Sequence, residues 1–326
     1  MPRRFAPLAV TCGEPAGVGP EVVARARARV PDVPLFAIGN PGHFEGHGLP
    51  VRVIDAPAEA TAGGDALCVL PHDVPGPARP GRPDPAQARG VVEVIARAVS
   101  LVQRGEAAAV CTAPIHKRAL MDGAAFAHPG HTEYLAHLAG DVPVAMMLVC
   151  PELRVVPATI HIALEAVPAA LTPDRLETVL RIVHAALNRD FGVARPRIAV
   201  AGLNPHAGEG GAMGRAEVEW IAPLVTRLAP ELGCFGPLSA DTMFHAAARA
   251  RYDAAVAMYH DQALIPIKTI DFAGGVNVTL GLPFVRTSPD HGTAFDIAGT
   301  GRADPTSMAA ALRMGWDMVG QHASAA

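Results

Sequence analysis

The amino-acid sequence predicts an α/β protein of about two domains. Three observations support this prediction. Short apolar runs alternate with longer amphipathic stretches, 50% of the residues are hydrophobic, and the length of 326 residues is roughly twice that of an average domain. No Gly- or Ser-rich linker divides the chain. The two domains are therefore expected to be interleaved, each assembled from more than one stretch of sequence.

Short apolar runs predict the strands, and amphipathic stretches predict the helices. The predicted strands cover residues 5–11, 33–38, 107–113, 142–150, 153–162, 197–203, 254–259 and 276–280. The predicted helices cover residues 21–30, 88–104, 131–139, 173–190, 215–230 and 305–320.

The clearest predicted helix begins after Thr172. Threonine is a favoured N-cap residue, Pro173 suits the first helical position, and Asp174 complements the positive end of the helix dipole. Apolar residues then follow at helical spacing as far as Leu187. By contrast, the many prolines between residues 71 and 87 are incompatible with regular structure and predict a surface loop.

The charge of the chain is weak and evenly spread. There are 27 Lys and Arg against 31 Asp and Glu, a formal net charge of −4, and no basic block that would follow a phosphate backbone. Nucleic acid is therefore not an expected partner. No apolar run reaches the length of a membrane-spanning helix, and the apolar stretch near the N-terminus is too short for a secretion signal. We expect a cytoplasmic protein that does not enter a membrane.

The five cysteines are odd in number and widely spaced, with no Cys-x-x-Cys pair. They are Cys12, Cys68, Cys111, Cys150 and Cys234. In a reducing compartment, such residues are expected to be small buried apolar side chains and not disulfides or zinc thiolates.

Three of the 14 histidines share one placement. His161, His206 and His260 each come just after an apolar run that predicts a strand. Ligand sites of open α/β sheets form beyond the carboxyl ends of strands, and neutral imidazole binds zinc and related divalent ions. Three histidines with an open fourth position would make a catalytic metal site. The spacing also allows another interpretation, in which each is an ordinary hydrogen-bonded histidine at a strand end.

The segment 202–214 around His206 is dense in glycine. Glycine lets a backbone approach a ligand closely and adopt positive φ. The segment is not a dinucleotide fingerprint, because Met213 stands where the third glycine belongs, and the chain contains no Gly-Lys-Ser/Thr phosphate loop. A flexible turn is the alternative, although Pro205 favours a fixed loop.

Two groups of residues are candidates for binding an anion. Lys268, Asn277 and Arg286 interrupt apolar sequence and are costly to bury without an anionic partner. They predict either a phosphate or carboxylate ligand or internal salt bridges. His131 and Thr132 open a predicted helix, whose free N–H groups favour anions. The alternative there is that Thr132 only caps the helix.

Six motifs, taken in order, carry a resemblance to a known family. They occupy residues 11–20 (TCGEPAGVGP), 112–117 (TAPIHK), 129–136 (PGHTEYLA), 202–211 (GLNPHAGEGG), 257–262 (AMYHDQ) and 275–294 (GVNVTLGLPFVRTSPDHGTA). Together they resemble the 4-hydroxythreonine-4-phosphate dehydrogenase family of vitamin B6 biosynthesis, and the resemblance covers nearly the whole chain.

The resemblance implies the fold of the isocitrate and isopropylmalate dehydrogenases, with two α/β/α domains and a cleft between them. On that fold we expect residues 1–130 and 281–326 to form the first domain. Residues 131–280 are expected to form the second domain and to carry the candidate histidines. The resemblance further implies a homodimer whose active site lies at the subunit interface.

The resemblance also implies roles for individual residues. Family histidines that bind a divalent metal match His161, His206 and His260. Family contacts to the substrate match His131, Thr132, Lys268, Asn277 and Arg286. The metal is expected to be zinc, with magnesium or cobalt as alternatives, and the cofactor to be NAD or NADP. The residues that bind the cofactor are not predicted.

The implied reaction oxidises 4-phosphohydroxy-L-threonine to 2-amino-3-oxo-4-phosphooxybutanoate, which decarboxylates to 3-amino-2-oxopropyl phosphate on the way to pyridoxal 5′-phosphate. A metal would lower the pKa of the substrate hydroxyl, and the nicotinamide would accept the hydride. Lys268 is the candidate to assist proton transfer. Asp241 is a second acid–base candidate, with helix capping as its alternative role.

Other functions remain open at this stage. Relatives with the same metal motif oxidise 4-phospho-D-threonate, 4-phospho-D-erythronate or aromatic cis-dihydrodiols. Lys268, Asn277 and Arg286 favour a phosphorylated acid among these. From other classes, a metal-dependent hydrolase would also use three histidines, without any need for nicotinamide. A non-catalytic sugar-phosphate binding protein would bind the same ligand and turn nothing over.

Overall fold

The computed structural model describes residues 5–325, with side chains as far as residue 322. The chain divides into two compact units. Unit 1 comprises Met1–Val142 and Leu282–Gly320, and unit 2 comprises Pro143–Gly281 and Gln321–Ala326. Each unit is built from two separate stretches of chain.

The strands and α-helices alternate along most of the chain. The strands are β1 (Leu8–Thr11), β2 (Leu35–Gly39), β3 (Val51–Val53), β4 (Leu67–Pro71), β5 (Ala109–Thr112), β6 (Ala145–Cys150), β7 (Leu153–Pro157), β8 (Ile198–Ala201), β9 (Cys234–Leu238), β10 (Ala254–Ala257), β11 (Val276–Leu280) and β12 (Val285–Pro289). The helices are α1 (Gly19–Arg29), α2 (Ala88–Gln103), α3 (Lys117–Ala124), α4 (His131–Leu138), α5 (Val167–Ala170), α6 (Pro173–Arg189), α7 (Ala222–Leu232), α8 (Ala246–Arg249), α9 (His260–Ile270) and α10 (Thr306–Ala325).

Unit 1 contains a parallel sheet in the order β3-β4-β2-β1-β5-β12. Its central register pairs Leu8 with Leu35 and Ala9 with Val110. Every residue of β1, β2 and β5 is buried. A parallel sheet is covered on both faces, so its strands appear in the sequence as unbroken apolar runs.

Unit 2 contains a mixed sheet in the order β11-β6-β7-β10-β8-β9. Strands β7, β10, β8 and β9 run parallel to one another, whereas β6 is antiparallel to both of its neighbours. Side chains from this sheet and from α9 form one buried apolar cluster that includes Leu148, Val155, Ala255 and Ile267. Because β7, β10, β8 and β9 run parallel, their carboxyl ends lie along one edge of the sheet.

The unit boundaries differ from those expected. They fall at 142/143 and 281/282, whereas the resemblance implied 130/131 and 280/281. Helix α4 accordingly lies in unit 1, where it packs against α2. The helix that begins after Thr172 agrees with the prediction, because the Thr172 side chain caps it by accepting a hydrogen bond from the N–H of Arg175 at 3.2 Å.

The sequence missed β3, β4, β9 and β12 and the helices α3, α5, α8 and α9. Strand β12 is wholly buried although it reads Val-Arg-Thr-Ser-Pro, so it has no apolar signal. Strand β9 contains Gly236 and Pro237, and α9 contains Pro266, residues that argue against regular structure. The predicted helix 215–230 is a π-helical turn at Glu217–Ile221 that continues into α7.

Three simpler predictions can also be compared with the structure. All five cysteines are buried and free, as expected. Residues 71–87 form a loop apart from the end of β4 and one short turn, Pro85–Gln87. Within residues 5–325, no helix is both long and apolar enough to cross a membrane.

Candidate active site

The three candidate metal histidines follow neighbouring parallel strands of unit 2. His161 comes after β7, His260 after β10 and His206 after β8, and Asp241 follows the next strand, β9. The parallel direction of these strands brings all four residues to the same carboxyl edge. This edge is where α/β sheets bind ligands.

His161 and His260 form a pair. Their ring centroids lie 5.6 Å apart, and both side chains line a cavity of about 350 Å³ together with Thr159, Tyr259 and Asp261. Nδ1 of His260 lies 2.7 Å from a carboxylate oxygen of Asp261. A carboxylate accepts and does not donate, so Nδ1 carries the proton in this contact and Nε2 is left as the atom that can bind a metal.

His206 lies in an unusual turn. Residues 206–210 all have positive φ, with φ 51° and ψ 31° at His206 itself. His161 is also left-handed, with φ 52°. Residues other than glycine seldom adopt the left-handed region, and those that do are concentrated at functional sites. The glycine-rich segment is therefore a defined left-handed turn, and the alternative of a flexible turn is not what the structure has.

Hydrogen bonds join the chain segments that carry the three histidines. The Thr159 hydroxyl donates to the carbonyl of Met258 at 2.7 Å, which links the His161 segment to the His260 segment. The Gln262 amide donates to the carbonyl of Gly202 at 2.8 Å and accepts from the N–H of Met258 at 2.7 Å. Gln262 therefore links the His260 segment to the His206 segment.

A metal site can be tested against the residues present. Within the described part of the chain, no three His, Cys, Asp or Glu side chains lie close enough together to hold a metal ion. His161 and His260 do have the donor type, the spacing and the supporting carboxylate that suit a divalent ion. Within one chain, two of the three expected metal ligands, His161 and His260, therefore lie close together, whereas His206 does not lie close to them.

Asp241 is exposed, and its carboxylate accepts a hydrogen bond from the Ser239 hydroxyl at 2.5 Å. This hydrogen bond, with a smaller contribution from nearby His206, lowers the pKa of Asp241. The helix-capping alternative is wrong, because Asp241 does not begin a helix: the next one, α8, is preceded by His245.

Lys268 and Asn277 lie elsewhere in unit 2. Lys268 is on α9, two turns after His260, with its ammonium 5.5 Å from the ring centroid of Phe272. Asn277 is the second residue of β11, and its buried Oδ1 has no hydrogen-bond partner among the described residues. An amide oxygen in that position is available to a ligand.

His131 and Thr132 are the first two residues of α4 in unit 1. The helix N-cap is Gly130, with no side-chain cap bond, so the interpretation of Thr132 as a cap is wrong. Nε2 of His131 is buried without a hydrogen-bond partner among the described residues. Burial, and to a smaller extent the nearby Arg286 guanidinium, hold the pKa of His131 well below its ordinary value. The imidazole is therefore neutral.

Arg286 lies on β12 and is buried, with only 3% of its surface exposed. Its guanidinium donates to the Thr112 hydroxyl at 2.6 Å. Burial lowers the pKa of Arg286 to about 10, so it still carries a positive charge at neutral pH. A buried cation beside the start of α4 suits an anionic ligand.

Two buried carboxyl groups were not predicted. Glu14 follows β1 and is buried, and its burial raises the pKa of the carboxyl. Glu14 lies within the first family motif, residues 11–20, so the resemblance could have pointed to it as a candidate site residue. Glu217 is buried beside the His206 turn, with its side chain bonded to Asn204. Nothing in the sequence around Glu217 distinguishes it from other helix glutamates.

Comparison with known proteins adds independent evidence. The family model for the pyridoxal phosphate biosynthetic protein PdxA matches residues 28–315. The chain is 63% identical to the 4-hydroxythreonine-4-phosphate dehydrogenase of Paracoccus denitrificans (strain Pd 1222), over 96% of this chain and 97% of that protein. It is 39% identical to the crystal structure of 4-hydroxythreonine-4-phosphate dehydrogenase from Klebsiella pneumoniae, with a TM-score of 0.89, over 98% of this chain and 99% of that one.

More distant structures share the fold. A terephthalate 1,2-cis-dihydrodiol dehydrogenase from Burkholderia xenovorans LB400 is 28% identical with a TM-score of 0.65, over 97% of this chain and 99% of that one. An isocitrate dehydrogenase from Methylococcus capsulatus is 14% identical with a TM-score of 0.50, over 98% of this chain and 88% of that one. At this identity the similarity concerns the fold alone. The predicted dehydrogenase-like α/β fold is thereby confirmed. Because the family model spans most of the chain and relatives match along its whole length, the chain belongs to the PdxA family of pyridoxal phosphate biosynthetic proteins.

Proposed function

We propose that this chain is a cytoplasmic, NAD(P)-dependent and divalent-metal-dependent dehydrogenase of pyridoxal 5′-phosphate biosynthesis. Its substrate is 4-phosphohydroxy-L-threonine, and the product of oxidation decarboxylates to 3-amino-2-oxopropyl phosphate. The proposal rests on the histidines that follow β7, β8 and β10. These histidines occur in a chain that is 63% identical to the 4-hydroxythreonine-4-phosphate dehydrogenase of Paracoccus denitrificans.

His161 and His260 would hold the divalent ion, and His206 would complete the ligand set in the assembled homodimer. The contact between His260 and Asp261 supports this role, because it orients the imidazole and leaves Nε2 free to bind. A bound ion would polarise the secondary hydroxyl of the substrate and lower its pKa, and the nicotinamide would take the hydride.

The substrate's anionic groups would be bound by the residues that match the family's substrate contacts, His131, Thr132, Lys268, Asn277 and Arg286. Arg286 supplies a fixed charge in a buried setting, where charge-assisted hydrogen bonds are strong. Neutral His131 can donate one hydrogen bond to an oxygen atom without adding a second positive charge beside Arg286. This set suits a phosphorylated acid, whose phosphate and carboxylate groups are both anionic.

Proton transfer would involve Asp241 and Lys268 in different roles. The lowered pKa keeps Asp241 ionised at neutral pH, so it can accept a proton and cannot donate one. Lys268 is then the candidate donor to the enolate carbon or oxygen formed when carbon dioxide leaves. From the residue types alone, Lys268 and Asp241 were both general acid–base candidates.

Exposed apolar side chains support the homodimer. Ile162 and Leu164 follow His161 directly, with 43% and 69% of their surfaces exposed. Ile265 on α9 is 63% exposed, and Phe272, just beyond that helix, is 80% exposed. Large exposed apolar residues gathered around a site are typical of an interaction surface. A second copy of the chain would cover them and close the site.

The experiment that tests the proposal follows reduced nicotinamide by absorbance with purified enzyme, Zn²⁺, Co²⁺ or Mg²⁺, and either NAD or NADP. The substrates are 4-phosphohydroxy-L-threonine, 4-phospho-D-erythronate, 4-phospho-D-threonate and an aromatic cis-dihydrodiol. We expect turnover of the first substrate only, abolished by a chelator and restored by metal. Turnover of another substrate in its place would assign the chain to a paralogous activity.

Two variants separate the metal site from general effects of histidine removal. His161→Ala should abolish turnover and lower bound metal, measured by elemental analysis. His137→Ala, an exposed histidine on α4, should change neither. Full activity of the His161→Ala variant would refute the ligand assignment.

A further inference from the structure

The turn that carries His206 is held against its own conformational preference. Five consecutive residues, 206–210, are left-handed, and three of them (His206, Ala207 and Glu209) are not glycine. The left-handed conformation is unfavourable for residues other than glycine, because their Cβ atom comes too close to the following carbonyl oxygen. Such a turn persists only where surrounding contacts favour it more strongly than the chain's own preference opposes it.

The contacts that hold the turn converge on Glu217. One carboxyl oxygen of Glu217 accepts from the backbone N–H of Asn204 at 2.7 Å, and the other accepts from the Asn204 side-chain amide at 2.9 Å. Only 2% of the Glu217 surface is exposed. Both oxygens of this buried carboxyl are thus bonded to one residue at the entry to the turn, two positions before His206.

The turn is also pressed closely onto that carboxyl. A Cβ atom placed on Gly208 would lie 2.7 Å from Oε2 of Glu217, and one on Gly202 would lie 3.3 Å from Oε1. A Cβ on Gly214 would lie 2.3 Å from the amide nitrogen of Asn204. The glycines of the segment therefore serve a structural purpose: they let the backbone wrap around the pair formed by Asn204 and Glu217.

We propose that Glu217 is a positioning residue that holds the left-handed turn and so presents His206 for metal binding. The inference rests on the proposed function, because it takes His206 to be a metal ligand. Glu217 touches neither substrate nor metal in this account and acts through Asn204. The bond from Gln262 to the carbonyl of Gly202 fixes the start of the same segment relative to His260.

The test is the substitution Glu217→Gln in the full-length protein. The substitution keeps the size of the side chain but turns an NH₂ group toward the donor groups of Asn204, so one of the two bonds is lost. The matched control is Glu219→Gln, the same change two residues away, where the carboxylate is exposed and pairs with Arg215. Co²⁺ is the probe, since its visible absorption reports the number of ligands.

We expect Glu217→Gln to bind Co²⁺ about 10–100-fold more weakly, with an altered absorption spectrum. In the metal-free protein, hydrogen exchange of residues 203–214 should be faster in this variant and unchanged in Glu219→Gln. Wild-type affinity and spectrum in Glu217→Gln would overturn the proposal. A wild-type protein that binds no Co²⁺ would refute the metal site itself, and with it the role of Glu217 in metal binding.

A second variant makes the test independent of the first one's folding. Asn204→Ala removes only the side-chain bond to Glu217 and keeps the carboxyl in place. It should weaken Co²⁺ binding in the same direction and leave the fold, followed by circular dichroism, unchanged. Unaltered Co²⁺ affinity in a folded Asn204→Ala protein would overturn the proposal.

Discussion

Two glycines of the His206 turn allow the packing against Glu217 to be measured as a stability difference. Gly208 has φ +81° and Gly210 has φ +63°, so alanine at either position meets the same left-handed penalty. Their surroundings differ, however. A Cβ on Gly208 would lie 2.7 Å from Oε2 of Glu217 and 2.8 Å from the carbonyl of Gly214, whereas a Cβ on Gly210 would meet nothing within 4 Å.

The expected free energies follow from these contacts. Left-handed alanine costs about 1–2 kcal/mol, and the stiffer unfolded chain returns about 0.4–1 kcal/mol. Gly210→Ala should therefore destabilise the protein by about 1 kcal/mol. Gly208→Ala carries the same change plus an overlap with held atoms, which adds about 1–3 kcal/mol, for a total of about 3 kcal/mol.

The assay is equilibrium unfolding in urea, followed by far-ultraviolet circular dichroism at one fixed protein concentration. The quantity of interest is the difference between the two alanine variants, because their shared backbone penalty cancels. We expect Gly208→Ala to be the less stable by about 2 kcal/mol. Equal stabilities would refute the reasoning, since they would mean that the turn does not pack against Glu217 in the folded protein.

Three further predictions concern single side chains. Because the pKa of His131 is lowered in the folded state, the unfolded chain takes up a proton first, and stability should fall as the pH drops below about 6.5. His131→Gln should reduce that slope by up to about 1.4 kcal/mol per pH unit, as urea titrations from pH 7 to 5 would reveal, and an unchanged slope would contradict the neutral buried state of His131. Gln262→Met leaves the N–H of Met258 and the carbonyl of Gly202 without this partner; we expect about 10-fold weaker Co²⁺ binding, and unchanged binding would contradict the link between the histidine segments. Arg286→Lys loses the planar guanidinium that donates to Thr112, and kcat/KM for the phosphorylated substrate should fall about 10–100-fold in steady-state assays, whereas a loss below threefold would remove Arg286 from the substrate site.

Most of the strands that the sequence predicted correctly are buried on both faces. Strands β1, β2, β5, β8 and β10 are short apolar runs because a covered parallel sheet excludes polar side chains. The same argument failed for β12, which is equally buried and carries Arg286, Thr287 and Ser288. Its polar side chains are satisfied by partners far away in sequence, such as Thr112 and the carbonyl of Ala311, and local patterning cannot reveal such partners.

The placement of the candidate site was within reach of the sequence. Three histidines after three apolar runs predicted a common edge, and the parallel direction of β7, β8 and β10 does bring His161, His206 and His260 to one. The pairing of His161 with His260 was not predictable, because it depends on which strands are neighbours. Strand β10 lies between β7 and β8 although it comes last of the three in the chain.

Residue identity by itself determined the α/β class, the buried cysteines, the helix that begins after Thr172, and the family, because each is recorded in local pattern or in motif order. Only the tertiary structure decided how the His206 segment is held. Its left-handed turn opposes local preference and depends on Glu217, which lies 13 positions from Asn204, and on Gln262, 60 positions from Gly202. The bond between Gln262 and Gly202 forms only when the sheet brings strands β8 and β10 together, so no short window of sequence contains it.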